Sequence, residues 1–136
     1  MPSFVHRLTT PKTASGPNVL VASLPLPAGQ YIVSAKAELR GFTGEFAVCQ
    51  ARLVVGAQED AALRKLAGPG QPGDIQQIHL VVGAKSTTAT NAKFIANMAS
   101  FRASVQDLVI TAEQVQALTV TEAEGDPPPP PPPEGE

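Results

Sequence analysis

Residues 24–39 read LPLPAGQYIVSAKAEL, a turn rich in proline and glycine that leads directly into a regular alternation of side chains. Side chains of a β-strand point to opposite faces in turn, so a period of two predicts a long strand with one face in the core. We expect the polar members of the run, such as Lys36 and Glu38, to face outward. The predicted inward residues are Tyr31, Val33, Ala35, Ala37 and Leu39.

A second alternation follows a few residues later. Gln50 and Arg52 lie on one side of it, and the opposite side is apolar. The turn GFTG at 41–44 separates this run from the first one, and two alternating runs joined by a short glycine-containing turn predict a β-hairpin. The predicted inward residues of this second strand are Ala47, Cys49, Ala51, Leu53 and Val55.

The rest of the chain continues the same pattern, with turns rich in glycine and proline between the runs. Ile78, Leu80 and Val82 share one face of the run 75–82, and β-branched residues favour a strand over a helix in the run from Ser104 onward. Further strands are predicted at 4–8 (an edge strand), 18–24 and 90–102.

The segment QEDAALRKLAG at 58–68 allows two interpretations. Its acidic start, its basic residues near the end and its terminal glycine are typical of a short helix over 58–67. Its alternation also allows a strand, and the prediction of strands in the rest of the chain favours a strand here as well. Together these runs predict an all-β fold, an antiparallel β-sandwich of the jelly-roll kind with a possible short helix near 58–67.

The predicted domain organisation has three parts. Residues 1–17 form an N-terminal arm or edge strand, 18–121 form the β-sandwich, and 122–136 form an acidic polyproline tail. The tail carries five of the 12 acidic residues and no basic residue, so the chain up to residue 121 has a formal charge of +3 (10 basic minus 7 acidic). That excess is scattered, which argues against a nucleic-acid partner.

The proline run of the tail predicts an extended polyproline II conformation, about 20 Å long. Such a segment either projects into solvent or docks into an aromatic-lined groove of a partner, for which it is already in the binding conformation. The candidate partner-binding residues are Pro127, Pro128, Pro129, Pro130, Pro131, Pro132 and Pro133.

Residues suited to catalysis are few. His6 lies near the N-terminus, and His79 lies on the polar face of a predicted strand, where a solvated histidine is more common than a general base. The single cysteine, Cys49, sits in an apolar run and is expected to be a small buried hydrophobic residue. With one cysteine and two distant histidines, we predict no metal site, no cofactor and no enzymatic activity.

The predicted outward faces of the strands carry more aliphatic residues than is usual for a solvent-exposed sheet face. Two explanations stand: a second layer, either the opposite sheet or the tail, covers them, or they form a subunit interface in a cyclic homo-oligomer. The residues concerned are Ile32, Val54, Val81, Val109 and Val115.

No apolar stretch approaches the roughly 20 residues that a membrane-spanning helix requires, and the N-terminus MPSFVHRLTTPKT lacks the apolar region of a signal peptide. The sequence therefore predicts a chain with no membrane partner and no classical secretion signal.

The stretch LPAGQYIVSAK at 26–36 resembles the strand that opens small jelly-roll domains of the tumour-necrosis-factor and C1q-like type. The stretch AVCQARLVVG at 47–56 looks like their next strand, and 99–115 is similar to the closing strands of variants found in actinobacterial proteins and their phages. The resemblance covers roughly residues 18–120. It implies an adhesive or structural protein, often trimeric, with no catalytic residues to transfer.

A virion component assembled inside a host cell needs no secretion signal, so this resemblance favours a phage virion subunit, either a capsid-decorating or a tail-associated protein. The expected partners are further copies of the chain, a trimer being favoured, and a larger assembly such as a capsid or tail. The alternative is a surface module that binds a ligand or carbohydrate at the cell surface. Carbohydrate sites are rich in exposed aromatic residues, and aromatics are only 4% of this chain.

Overall fold

The computed structural model describes residues 3–41, 47–67, 74–98, 102–116 and 118. Within these ranges the chain forms nine strands and no helix. The strands are β1 (Ser3–Arg7), β2 (Lys12–Ser15), β3 (Val19–Leu26), β4 (Gly29–Gly41), β5 (Ala47–Val55), β6 (Gln58–Leu66), β7 (Ile75–Ser86), β8 (Thr90–Met98) and β9 (Arg102–Gln114).

The strands form two antiparallel sheets packed face to face. Sheet I has the order β1-β9-β4-β7, with β2 pairing the first residues of β9 beside β1, and sheet II has the order β3-β8-β5-β6. If β1 and β2 count as one interrupted edge strand, the eight strand positions have the order of a jelly roll. The predicted all-β antiparallel sandwich is therefore confirmed.

The alternating residues of β4 and β5 line the space between the sheets, as the sequence predicts. Tyr31 is 1% exposed, and the other inward residues of both strands are buried with it. Ile78, Leu80 and Val82 of β7 and Phe94, Ala96 and Met98 of β8 join the same core. Dispersion contacts among many small aliphatic side chains stabilise this core, because the chain has few aromatic residues to fill it.

A β-bulge interrupts the alternation in β9. The register with β4 shifts between Lys36 and Glu38, and Asp107 there has φ 52°, a left-handed conformation that aspartate tolerates better than most residues. Because of the extra residue, Val105 and Leu108 both point into the core.

The predicted hairpin between the first two alternating runs is wrong. β4 pairs with β7 and β9 in sheet I, whereas β5 pairs with β6 and β8 in sheet II. The chain crosses from one sheet to the other through residues 42–46, which lie outside the described ranges. Alternation identifies a strand and its buried face, but it does not identify the strand's partner.

The possible helix at 58–67 is also wrong, because residues 58–66 form strand β6. Gly56 and Ala57 make a two-residue turn in which Gly56 has φ 60°, and Val55 pairs with Gln58 directly after it. Glycine at the first central position is typical of a type II′ hairpin turn. β6 makes nine residue pairs with β5 in all, and intrinsic helix preferences of a few tenths of a kcal/mol per residue are too small to compete with that pairing.

Two contacts between the sheets position the strands around β6. The backbone at Gly41 approaches the carbonyl oxygen of Ala67 so closely that a Cβ at position 41 would collide with it. Within sheet I, the Gly41 N–H also donates to the carbonyl of Asp74, just before β7, at 3.0 Å. Further along, the Val81 N–H of β7 donates to Asp60 Oδ2 of β6 at 3.0 Å. The edge strands of the two sheets are therefore joined along this side of the sandwich.

Candidate interaction surfaces

One row of side chains crosses the whole outer face of sheet I. The registers place Val5 opposite Thr111, Thr111 opposite Ser34, and Ser34 opposite Val81. Residues directly opposite one another in neighbouring strands point to the same face. The row therefore runs across four strands, about 14 Å between the outermost strands at about 4.8 Å per spacing.

Four aliphatic side chains lie in or next to this row. Val5 is 56% exposed, Val81 49% and Ile32 43%, and Val109 is half-buried beside them. The Ser34 and Thr111 hydroxyls in the middle of the row hydrogen-bond each other at 2.7 Å, which satisfies part of their polar capacity internally. We call the surface formed by Val5, Ile32, Val81 and Val109 the apolar patch.

Three of the five predicted outward aliphatic residues share this surface: Ile32, Val81 and Val109. Val54 lies on the outer face of sheet II instead. Val115 follows the end of β9, and its N–H donates to the Gln30 carbonyl at 2.9 Å. The alternation of the short N-terminal strand could have identified Val5 as an outward residue, but its place in the apolar patch depends on the pairing of β1 with β9.

Positive charge borders the apolar patch. Lys36 is the cross-strand neighbour of both Val109 and His79, and Arg7 lies opposite Val109 on the other side. A cleft of about 420 Å³ opens next to them, lined by Lys36, Arg64, Gln77 and His79. The patch thus has the paired Ser34 and Thr111 hydroxyls at its centre, aliphatic side chains on either side of them, and a polar, largely basic border along one side.

The candidate catalytic residues do not converge. His6 lies on β1 and His79 on β7, the two edges of sheet I, so three strand spacings separate them. Cys49 is fully buried in β5, which confirms its predicted place in the core, and burial raises the pKa of its thiol to about 11. A thiol with that pKa is protonated at neutral pH and is a poor nucleophile.

Glu59 and Asp60 are adjacent in sequence but point to opposite faces of β6. Glu59 faces outward from sheet II and lies 3.4 Å from the Arg52 guanidinium, whereas its neighbour Asp60 faces β7. Across the described part of the chain, no three His, Cys, Asp or Glu side chains are close enough together to hold a metal ion.

An apolar groove lies at one end of the sandwich, where β1, the end of β3 and the start of β8 meet. It has a volume of about 510 Å³, and we call it the end groove. A smaller cleft of about 140 Å³ shares Thr90 and Asn91 with it and continues to Val54 and Lys93. The end groove is lined by Phe4, Pro25, Leu26, Pro27, Thr90 and Asn91.

Buried Tyr31 supports the walls of the end groove from inside. Its hydroxyl donates to the Pro27 carbonyl at 2.8 Å, and its ring packs edge-on against Phe4 with the ring centroids 6.0 Å apart. This prediction of the sequence, that Tyr31 points inward, is confirmed. The sequence did not reveal the groove, because Phe4 and Pro25 are distant along the chain and only the fold brings them together.

The chain leaves the sandwich beside this groove. Gln30 binds the segment after β9 through its side chain: its Nε2 donates to the Gln116 carbonyl at 3.1 Å, and its Oε1 accepts from the Leu118 N–H at 2.9 Å. The candidate partner-binding prolines 127–133 follow further along and lie outside the described residues.

No helix within the described ranges is long and apolar enough to cross a membrane.

No protein-family model matches the chain, and no curated protein sequence matches it. Among solved structures, the chain is similar to a chain in the structure of infectious bursal disease virus, Gx strain, with 8% sequence identity and a TM-score of 0.46. That similarity covers 87% of this chain and 35% of the viral one, so the chain spans about a third of that protein's length. A likeness of this extent assigns no function.

Proposed function

We propose that the chain is a non-enzymatic structural subunit that associates with further copies of itself through the apolar patch and attaches to a larger protein assembly. The observation that carries the proposal is the exposure, by more than two fifths each, of three aliphatic side chains on the outer face of sheet I: Val5 on the β1 edge, Val81 on the β7 edge and Ile32 on β4 between them. Exposed aliphatic residues that share the solvent-facing side of an antiparallel sheet are typical of an interaction surface.

The size and chemistry of that face suit a subunit interface. It is four strands wide and β4 is 13 residues long, so the face measures roughly 19 Å by 43 Å. A stable interface buries about 800 Å² per partner, and this face is large enough to supply it. Its aliphatic side chains and its charged border are the residue types that interfaces place in their core and at their rim.

The specific assembly that we propose is a phage virion, in which the chain decorates the capsid or belongs to the tail, and the specific oligomer is a trimer. The support is the resemblance of residues 18–120 to small jelly-roll domains of the tumour-necrosis-factor and C1q-like type, together with the apolar patch. The prolines 127–133 are proposed as an additional contact with partners when they are not bound by the same chain.

The oligomer is tested by the variant Val81→Lys, with Leu63→Lys as its matched control. Leu63 is 64% exposed on the outer face of sheet II, so a lysine there adds the same charge away from the apolar patch. In sedimentation equilibrium we expect a trimer for the parent chain and for Leu63→Lys, and a monomer for Val81→Lys. A parent chain that stays monomeric at high concentration would contradict the proposal.

The virion setting has its own test. Capsid, portal or tail genes beside the gene for this chain, and a stoichiometric amount of the chain in gradient-purified particles of that phage, are the expected results. A gene position beside sugar-processing genes, with a monomeric chain that binds glycans, would replace the proposal with the surface-module alternative.

A further inference from the structure

We propose that the end groove binds the polyproline segment 127–133 of the same chain. The groove is an apolar surface at the end of the sandwich, and the segment begins nine positions after Leu118, the last described residue. This contact is independent of the apolar patch, which lies on the outer face of sheet I.

The lining of the end groove matches the chemistry of a polyproline helix. The Phe4 ring and the rings of Pro25 and Pro27 provide flat apolar walls, as in the aromatic-lined grooves that recognise proline-rich segments. A proline run has carbonyl acceptors but no N–H donors, so it needs donors from its binding site. Thr90 and Asn91 place a hydroxyl and a side-chain amide at the groove.

The walls of the groove are held in position before anything binds. Tyr31 is 1% exposed and contacts both sides of the groove, with its hydroxyl on the Pro27 carbonyl and its ring against Phe4. A preformed groove and a preformed ligand conformation both reduce the entropy lost on binding.

The same molecule can supply the segment, because the chain after β9 is held close to the end groove. Three hydrogen bonds join Val115, Gln116 and Leu118 to Gln30, which is only three positions from Pro27 in the groove wall. Nine residues can span at most about 30 Å, and as a flexible linker they average about 17 Å between their ends. A linker of that length gives an effective concentration in the millimolar range, so even weak intrinsic affinity produces substantial occupancy.

Charges around the groove complement those around the prolines. The proline run is flanked by Glu122, Glu124 and Asp126 on one side and by Glu134 and Glu136 on the other. Lys93 borders the cleft that continues the end groove, and Lys85 lies opposite Gln30 across the β4–β7 pair. Attraction between these groups is screened by salt, so occupancy of the groove should decrease as ionic strength rises.

The test compares amide NMR spectra of the full chain with those of a full-length variant in which each proline of 127–133 is replaced by serine (Pro127→Ser to Pro133→Ser). We expect shift differences at Phe4, Thr90 and Asn91, and none at Leu63 on the far strand of sheet II. The differences should be the same in dilute and concentrated samples. Identical spectra would overturn the proposal, and differences that grow with protein concentration would overturn it in favour of binding between copies.

A second experiment supplies the segment as a separate probe. The peptide EGDPPPPPPPEGE, added to the serine variant, should restore the shifts of the full chain and should bind it at least about tenfold more tightly than it binds the full chain, whose own tail competes. Adding Phe4→Ala or Asn91→Ala to the serine variant should weaken peptide binding, whereas Leu63→Ala should not. Leu63 is exposed on the outer face of sheet II, away from both the end groove and the apolar patch, and Asn91 is exposed, so its replacement leaves the core intact. Equal binding by all three variants would contradict the assigned groove.

Discussion

At the scale of single residues, Cys49 shows how the core changes the chemistry of a side chain. It is fully buried in β5 and pairs with Arg64 of β6 on one side and Met98 of β8 on the other. Burial favours the neutral thiol over the thiolate and raises its pKa from 9.0 to about 11. The residue therefore behaves as a small hydrophobic side chain and contributes to packing rather than to reactivity.

This raised pKa predicts a specific dependence of stability on pH. In the unfolded chain the thiol loses its proton near pH 9, whereas in the native chain the thiol stays protonated up to about pH 11. The native state binds more protons in that window, so the free energy of unfolding should fall by about 2–3 kcal/mol between pH 9 and pH 11, and this contribution should be fully present below pH 9. Urea unfolding at several pH values measures the effect.

Other groups titrate in the same range, so the control is the variant Cys49→Ala. Below pH 9 its stability will be lower than that of the parent because of the cavity, but the additional fall between pH 9 and pH 11 should be absent. A parallel pH dependence in both chains would show that Cys49 does not cause the loss.

At the scale of elements, β6 is an edge strand that carries charged side chains on its inward face. Asp60 and Arg64 lie opposite Leu53 and Cys49 in the register, and Asp60 accepts the Val81 N–H of the other sheet. Inward-pointing charged residues are one way in which natural edge strands avoid pairing with other chains. Here the same carboxylate also satisfies a backbone donor at the edge of β7.

The variant Asp60→Ala is expected to loosen this junction. Loss of a hydrogen bond with a charged acceptor should lower the free energy of unfolding by about 1–3 kcal/mol and accelerate hydrogen exchange at the Val81 amide. Glu59→Ala is the matched control: its carboxylate is exposed and only 3.4 Å from Arg52, a surface ion pair of small energetic value. Unchanged exchange at Val81 in Asp60→Ala would contradict the role of this contact.

The strands themselves were largely predictable, whereas their partners were not. Alternation located β4, β5, β7 and β8 and assigned Val109 of β9 to the outward face, because the period of two follows directly from strand geometry. It placed β4 and β5 in one hairpin, but β4 is flanked by β7 and β9. Local composition also left β6 ambiguous: residues such as Ala62 and Lys65 favour helices, and only pairing with β5 decides the conformation.

The apolar patch was partly predictable from the sequence, and the end groove was not. Ile32 and Val81 were predicted to face outward because alternation assigns faces, but their grouping with Val5 depends on the order β1-β9-β4-β7. The end groove could not be predicted, since Phe4 meets Pro27 only through the pairing of β1 with β9 and through Tyr31.

At the scale of the whole molecule, the connectivity makes the two sheets depend on each other. Within the described strands, only β5 and β6 follow one another in sequence as direct neighbours in sheet II; the other strands of that sheet come from distant parts of the chain. β1 and β2 at one end of the sequence pair with β9 near the other end. Neither sheet is a continuous segment, so neither should unfold alone.

We therefore predict one cooperative unfolding transition, and the sequence provides one natural probe in each sheet. Tyr31, the single tyrosine in a chain without tryptophan, reports on sheet I through its fluorescence, and Cys49, the single cysteine, reports on sheet II through pulsed thiol labelling. Their urea midpoints should coincide, as expected for a two-state domain of this size. The variant Phe94→Ala, which opens a cavity under sheet II, should lower both midpoints together by the equivalent of about 3–5 kcal/mol, since Phe94 is fully buried. If labelling of Cys49 began well before the Tyr31 transition, or if Phe94→Ala moved only the Cys49 midpoint, the sheets would be separate units and the interleaved connectivity would not be what holds the sandwich together.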